Sequence, residues 1–385
     1  MELSVCVIAK NEEKNIEAFL QALAPLEAEL IFVDTGSTDR TKELVMDYAL
    51  RQKKEEQSLC SVTGKAHGQA SSTNIRVYDF AWCDDFSAAR NFSIEKASSD
   101  TILSLDCDEI ILWEEMLREN AGAGSARSSL ANGTGEADVD QWSLKEKEEI
   151  GRLAKQLKHD MLRSVQKEPL ALGRLRRIDF MGNGETDARA TVEVRRLFSR
   201  KYFHYEGRIH EQLVRKDGQK NASYPVPILL EHKGYLGSRE ERIRKAERNN
   251  RLLFMDREVF PDDAYTDYQI AKSYIMMEEN EKAIAFLESA LRKHFDPTAE
   301  FVDDMLYAYG ELLLNAGRQK QALELKSLLK TFGNNADFHT MMGRVFAMNG
   351  LWKEALVQFS AALEYGSARV EGNNTFLPLY YAGII

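Results

Sequence analysis

Thr101-Ile102-Leu103-Ser104-Leu105-Asp106-Cys107-Asp108-Glu109 is an apolar run of strand length that ends in two carboxylates one residue apart, with a third directly after them. Such an ending can hold a divalent cation at the rim of a sheet, because Mg²⁺ and similar hard cations prefer oxygen ligands and keep positions for water and substrate phosphates. The matching client is a diphosphate-linked substrate. The competing reading is a solvated turn, since Asp and Glu also gather in turns to cap backbone groups. The flanking segments decide between the two.

Residues 3–9, Leu-Ser-Val-Cys-Val-Ile-Ala, read as a strand; Lys10-Asn11-Glu12-Glu13-Lys14-Asn15 breaks the pattern and opens a helix through Ile16, Phe19, Leu20 and Leu23. Leu30-Ile31-Phe32-Val33 repeats the arrangement, followed by Asp34-Thr35-Gly36-Ser37-Thr38-Asp39 and a helix from about Arg40 to Leu50. Ile75-Arg76-Val77-Tyr78 is a third strand, and the run before Asp106 is a fourth. Strands alternating with helices predict an α/β fold with a largely parallel sheet, which binds ligands beyond the carboxyl ends of its strands. Each polar loop lies at such an end.

Four ordered stretches then carry a family resemblance: Ser4 to Asn15, Val-Asp-Thr-Gly-Ser-Thr-Asp from Val33, Phe-Ser-Ala-Ala-Arg-Asn from Phe86, and Asp-Cys-Asp-Glu from Asp106. Together they resemble family 2 glycosyltransferases of GT-A type. Gly207-Arg-Ile-His-Glu-Gln-Leu213 is similar to the bacterial branch in which tetratricopeptide repeats follow the catalytic domain. The resemblance implies a GT-A domain followed by an all-α repeat domain, and a divalent metal, Mg²⁺ or Mn²⁺, as cofactor. It implies nucleotide-sugar contacts from Ala9, Asn11, Glu12, Asp34, Arg90, Asn91 and Asp106, with UDP the expected nucleotide. Asp108 is the implied direct metal ligand, Asp106 reaches ribose or metal through water, and His210 completes the metal shell or contacts the diphosphate. Glu211 is the implied general base.

Each residue has a plainer reading beside that one. Asp34 is suited to accept from a uracil ring or ribose, yet a carboxylate here can also cap the next helix, a task for which Asp39 is better placed. Many relatives have a second acid where this chain has Thr35. Arg90 suits phosphate because its planar fork makes charge-assisted bonds, or it ties down Asp84 or Asp85. His210 and Glu211 are either catalytic or paired with an arginine such as Arg208. His232, ahead of Lys233-Gly234-Tyr235, reads as a diphosphate contact or as a hydrogen-bonded structural histidine. Cys107 reads as a small buried side chain.

The formal net charge of −10 disfavours a general nucleic-acid binder. Between Arg163 and Lys216 the sign reverses, with 13 Lys or Arg against 7 Asp or Glu. That stretch can draw in an anionic donor, although single members such as Arg195 and Arg196 read as a solvated basic face. The 4 cysteines, Cys6, Cys60, Cys83 and Cys107, have neither metal-ligand spacing nor a disulfide framework, as a reducing compartment favours. No signal peptide and no membrane span are expected, and the reading is a cytoplasmic protein.

The predicted domains are a catalytic unit over 1–236, a linking helix over 237–260 and repeats over 261–385. Polar residues 52–74 and Gly-, Ala- and Ser-rich residues 121–140 read as mobile loops. Ser143-Leu-Lys-Glu has the form of a capping box, opening a helix through Ile150, Leu153, Leu157, Met161 and Leu162 that is expected beside the active-site cleft. A second sheet is expected from strands near 175–180, 191–198 and 202–205. Lys282-Ala283, Gln321-Ala322 and Glu354-Ala355 open equivalent second helices, and Gly310 and Gly343, like Gly317 and Gly350, lie 33 residues apart. That spacing is within one residue of the tetratricopeptide period. Tyr274, Phe286, Leu287, Leu313, Phe346 and Phe359 are the expected core of the stack. The apolar segment 376–385 is expected to pack on the preceding repeat, to form a homodimer, or to mark a truncated chain.

Two functions follow. One is an inverting, metal-dependent transferase that moves a sugar from a UDP-linked donor to a peptide, protein or cell-surface glycan. The other is a non-catalytic transferase-like domain on a repeat scaffold that binds proteins.

Overall fold

The computed structural model describes residues 2–63, 74–120, 142–180, 189–232, 239–299 and 301–385. The chain divides into two compact units, one of residues 1–179 with 192–234 and one of residues 180–191 with 235–385. In the first, the order is β1 (Leu3–Ala9), α1 (Ile16–Leu23), β2 (Glu29–Asp34), α2 (Thr41–Thr63), β3 (Ile75–Asp79), α3 (Phe86–Lys96), β4 (Thr101–Leu105) and β5 (Glu109–Ile111). It continues with α4 (Trp113–Asn120), α5 (Leu144–Lys167), β6 (Ala171–Phe180), β7 (Arg189–Ser199), β8 (Phe203–Glu206), β9 (Gln212–Arg215) and β10 (Ala222–His232).

Eight strands form one sheet in the order β3-β2-β1-β4-β7-β6-β10-β5. β1 pairs in parallel with β2 and β4, and β2 with β3, as the alternation of strands and helices requires. β1, β2 and β4 are buried along nearly their whole length because both faces of the sheet are covered there, while the edge strand β3 is only partly buried. On β1, Leu3, Val5 and Val7 enter one hydrophobic cluster and Cys6 the other, the two-residue alternation of a strand made visible. The loops after β1, β2 and β4 therefore leave the same edge of the sheet.

Three expectations change. Helix α2 runs to Thr63 rather than ending near Leu50; Lys53, Lys54, Glu55, Glu56 and Gln57 lack apolar periodicity but are good helix formers. Only 64–73 of the predicted loop, like 121–140, lies outside the described residues. β6 and β7 join the main sheet through antiparallel pairing of β7 with β4, and only β8 and β9 form a separate two-stranded sheet. The capping box is present, with Ser143 Oγ accepting from Glu146 N at 3.3 Å and Glu146 Oε2 from Ser143 N at 2.8 Å. Yet α5 packs on α4 and on the 3₁₀ turn Ala24–Leu26, and Lys158 Nζ donates to the Glu27 carbonyl at 2.6 Å, just before β2 begins.

The second unit is helical: α6 (Arg239–Val259), α7 (Ala264–Met276), α8 (Asn280–Arg292), α9 (Phe301–Asn315), α10 (Gln319–Ala322), α11 (Leu329–Phe332), α12 (Ala336–Met348), α13 (Trp352–Leu363) and α14 (Phe376–Gly383). The second helix opened by Gln321 is short and passes into a 3₁₀ segment, Leu323–Leu328. Gly317 and Gly350 turn the chain with φ of +71° and +73°, a region that glycine enters without a Cβ penalty. Gly343 serves close packing instead, since a Cβ there would stand 2.3 Å from the Phe359 ring. Gly343→Ala is expected to lower stability of this unit, because overpacking costs about 1–3 kcal/mol, more than the roughly 1 kcal/mol returned in helix propensity. Thermal denaturation checks this, and a raised midpoint would contradict it. α14 packs on α13 and α12, with Tyr381 stacked on Phe359 at 5.8 Å, while Phe376, Leu379 and Tyr380 stay exposed. Among the described residues no helix is long and apolar enough to cross a membrane.

Candidate functional site

The loops after β1 and β2 are knitted to one another. Asn11, at φ of +59°, accepts from Thr38 N at 2.8 Å through its Oδ1 and donates its own N–H to Ser37 Oγ at 3.0 Å. Glu12 N donates to Thr41 Oγ1 at 2.7 Å, and the Ala9 carbonyl accepts from both Thr35 N and Thr35 Oγ1. Thr35 thus locks the strand ends together. Asp39 binds Thr41 N at 3.0 Å and so caps α2, which releases Asp34 from that task. Asp34 is 4% exposed; its Oδ1 accepts from Gly36 N and Ser37 N, both at 2.8 Å, while its Oδ2 is buried with no hydrogen-bond partner. An unsatisfied buried oxygen costs on the order of 1–3 kcal/mol. A ligand N–H or hydroxyl would remove that cost.

At the end of β4 the charged residues form one chain. Arg90, buried on α3, donates Nε to Glu211 Oε1, Nη2 to Asp106 Oδ1 at 2.7 Å and Nη1 to Ser104 Oγ at 3.3 Å, with its guanidinium 5.4 Å from the Tyr205 ring. Arg196 Nη2 bridges Asp106 Oδ2 at 2.8 Å and Glu109 Oε1 at 2.6 Å. Arg177 joins Glu109, at 2.8 Å, to Asp179, and Asp179 Oδ1 meets His232 Nδ1 at 2.9 Å. His232 Nε2 lies 3.3 Å from Asp108 Oδ2. Residues 211, 90, 106, 196, 109, 177, 179, 232 and 108 are therefore continuous.

Burial pushes the Asp106 carboxyl upward, but the Arg90 and Arg196 charges outweigh it and hold the group well below the usual carboxylate range. Burial lowers the His232 imidazole, while hydrogen bonds to Asp108 and Asp179 and the Asp108 charge raise it, with a net rise to about 9. Cys107 is buried and its thiol is pushed well up by burial and by the Glu12, Asp108 and Asp106 charges, which suits the packing role read from its sequence.

Several roles change. Glu211 pairs with Arg90 rather than Arg208, and Arg90 holds Asp106 and Glu211 rather than Asp84 or Asp85; Asp85 instead caps α3 through Ala88 N at 2.9 Å. Asn91 turns its amide to backbone, donating to the Tyr205 carbonyl and accepting from Tyr205 N, both at 2.9 Å, so it fastens α3 to β8. Both Asp106 oxygens are taken by arginines. The histidine set against Asp108 is His232, while His210 occupies a turn at φ of +52° next to Glu211. Arg196, which the charge pattern places on a solvated basic face, is largely buried against Asp106; its position two residues before the buried Phe198 of β7 is the available signal. Among the described residues no group of three or more His, Cys, Asp or Glu is arranged to hold a metal.

Residues 4–119 match the family described as glycosyl transferase family 2. This segment belongs to that family. Over 113 residues the chain is 31% identical to a TPR repeat-containing protein of Synechococcus elongatus, covering 29% of this chain and 22% of the relative. It is 20% identical over 302 residues to the SPbeta prophage-derived glycosyltransferase SunS of Bacillus subtilis, covering 78% of this chain and 56% of the relative. The chain thus spans about half or less of the length of these curated relatives. Among solved structures, S. aureus TarS 1–349 in complex with UDP-GlcNAc is 12% identical, with a TM-score of 0.34, 100% of this chain and 91% of that chain being covered. The glycosyl transferase segment holds β1 to β4, their carboxyl-end loops and α3, which together supply Asp34, Arg90, Asp106 and Asp108 to the site.

Proposed function

We propose that the chain is an inverting, metal-dependent glycosyltransferase that moves a sugar from a UDP-linked donor to a peptide, protein or glycan acceptor. The observation that carries this reading is the convergence of Arg90, Asp106, Asp108 and Glu211, remote in sequence, into one charge network at the carboxyl end of β4. Asp34 Oδ2 takes a donor group from the nucleotide, satisfying its buried oxygen. Arg90 and Arg196 are the cations for the diphosphate. Arg90 neutralises Glu211. A diphosphate competing for that guanidinium leaves Glu211 to take the proton of the acceptor hydroxyl, so the base is released only when donor is present.

Asp108 would hold a divalent cation, joined by His232 once the cation displaces the proton that its Nε2 shares with Asp108 Oδ2 at 3.3 Å, while Asp179 holds the far ring nitrogen as a second carboxylate commonly does for a metal-bound histidine. When bound, the cation would offset the charge of the departing diphosphate. Asp108→Asn is expected to weaken donor binding about tenfold or more in the presence of Mn²⁺, in line with the loss of a metal ligand or its partner, and to have little effect when the metal is chelated. Calorimetric titration with UDP-sugars checks this; equal loss with and without metal would assign Asp108 a structural role. The reading as a whole is tested by screening UDP-sugars for metal-dependent hydrolysis. No turnover and no metal-linked stabilisation with any of them would favour the non-catalytic scaffold.

A further inference from the structure

The helical unit carries a cluster of charged and aromatic side chains that shares no residue with the transfer site. Its helix pairs are joined by tight turns, such as 277–279 and 349–351, whereas α13 and α14 are joined by the longer connector 364–375. This connector is seated across α9 and α12. The Asp337 carboxylate accepts from Arg369 N at 2.9 Å, Val370 N at 3.0 Å and Asn373 Nδ2 at 2.8 Å, and Thr340 Oγ1 donates to the Asn373 carbonyl at 2.7 Å. Most of these bonds reach backbone and are indifferent to the sequence that lies there. One side chain is treated differently. Arg369 is ion-paired with Asp304, and its guanidinium stands 5.9 Å from the Tyr307 ring; Asp304 also accepts from Tyr268 Oη and, at 3.2 Å, from Lys272 Nζ. A carboxylate beside aromatic faces is suited to a planar guanidinium.

Beside Arg369 lies an open cavity of about 250 Å³ lined in part by Asp303, Asp304 and Asp337. Three carboxylates there face a single arginine of the lining. Burial and the neighbouring Asp337 hold the Asp303 carboxyl above its ordinary range despite Arg369. Arg369 itself keeps a third of its side chain exposed.

We propose that the slot of Tyr268, Asp304 and Tyr307 is a guanidinium site that takes an arginine from an extended segment of a partner protein, with Arg369 as its resident competitor. Asp337 and Thr340 supply the backbone contacts for such a segment. The connector is then a built-in brake on partner binding.

The probe is a labelled peptide of the connector's own sequence, residues 366–374, alone or with Ala in place of its arginine, added to the full chain. Loosening a competitor that fills the slot most of the time raises apparent affinity towards the limit set by the inverse of the open fraction, so binding to Arg369→Gln is expected to be about tenfold or more tighter than to the unaltered chain. Adding Asp304→Asn, or using the Ala peptide, abolishes that gain. In the unaltered chain, saturating peptide accelerates hydrogen exchange at the Arg369 and Val370 amides. A folded Arg369→Gln chain that gains no affinity, or one whose binding ignores the peptide arginine, overturns the proposal. Should Arg369→Gln fail to fold, unchanged exchange at those two amides under excess peptide overturns it equally.

Discussion

Glu211→Gln is expected to lower sugar transfer by about 10²- to 10⁴-fold, the usual contribution of a positioned base, while donor binding is kept or tightened, because the neutral amide competes less for Arg90. Glutamine keeps the shape of the side chain and an oxygen for Arg90 Nε, so the network that holds Arg90 and Asp106 survives. Only the capacity to accept a proton is removed. Comparing kcat with the dissociation constant of the UDP-sugar separates the two effects. Full turnover in the variant would mean that another carboxylate holds the role. A parallel loss of donor affinity would mean instead that Glu211 acts by positioning Arg90.

Arg90→Ala has the largest expected effect on the fold. Its guanidinium lies between two carboxylates, Asp106 and Glu211, and both the arginine and Glu211 are nearly buried, at 7% and 12% side-chain exposure. Breaking a buried pair by removing one partner typically costs about 3–5 kcal/mol, since the remaining charge is left without compensation. Arg196 still serves Asp106, which places the expected loss towards the lower end of that range. Hydrogen exchange at the amides of β4 measures the loss within the N-terminal unit alone. Arg90→Lys is not expected to restore stability, because one ammonium cannot reproduce bonds to Glu211, Asp106 and Ser104 at once. A loss below about 1 kcal/mol, the level of an exposed ion pair, would show that the network is solvated and contradict the account of its electrostatics.

The parts of the fold that could be read in the sequence share a physical feature: each is set by a local pattern. Residues 3–9, 30–33 and 101–105 are apolar at both alternating positions because a sheet covered on both faces leaves neither side to water. The capping box at Ser143 and the 33-residue glycine spacing of the repeats are likewise local. Helix α2 was misjudged beyond Leu50 because a helix need not bury a stripe of apolar residues, and propensity alone sustains its polar end. The membership of β6 and β7 in the main sheet was missed because pairing between β4 and β7 joins residues nearly a hundred positions apart. Nothing in either strand alone specifies its neighbour.

Local sequence places the carboxylates at 34, 106, 108 and 211 and the arginine at 90, and its alternation of strands and helices delivers most of them to one edge of a sheet. The partner of each group is set by the folded chain. It pairs Glu211 with Arg90, brings Arg196 to Asp106, sets His232 against Asp108, and turns Asn91 away to backbone. Charge type and strand period are properties of a short stretch of chain, whereas the partner of a buried charge is chosen by which distant segment must neutralise it once water is excluded.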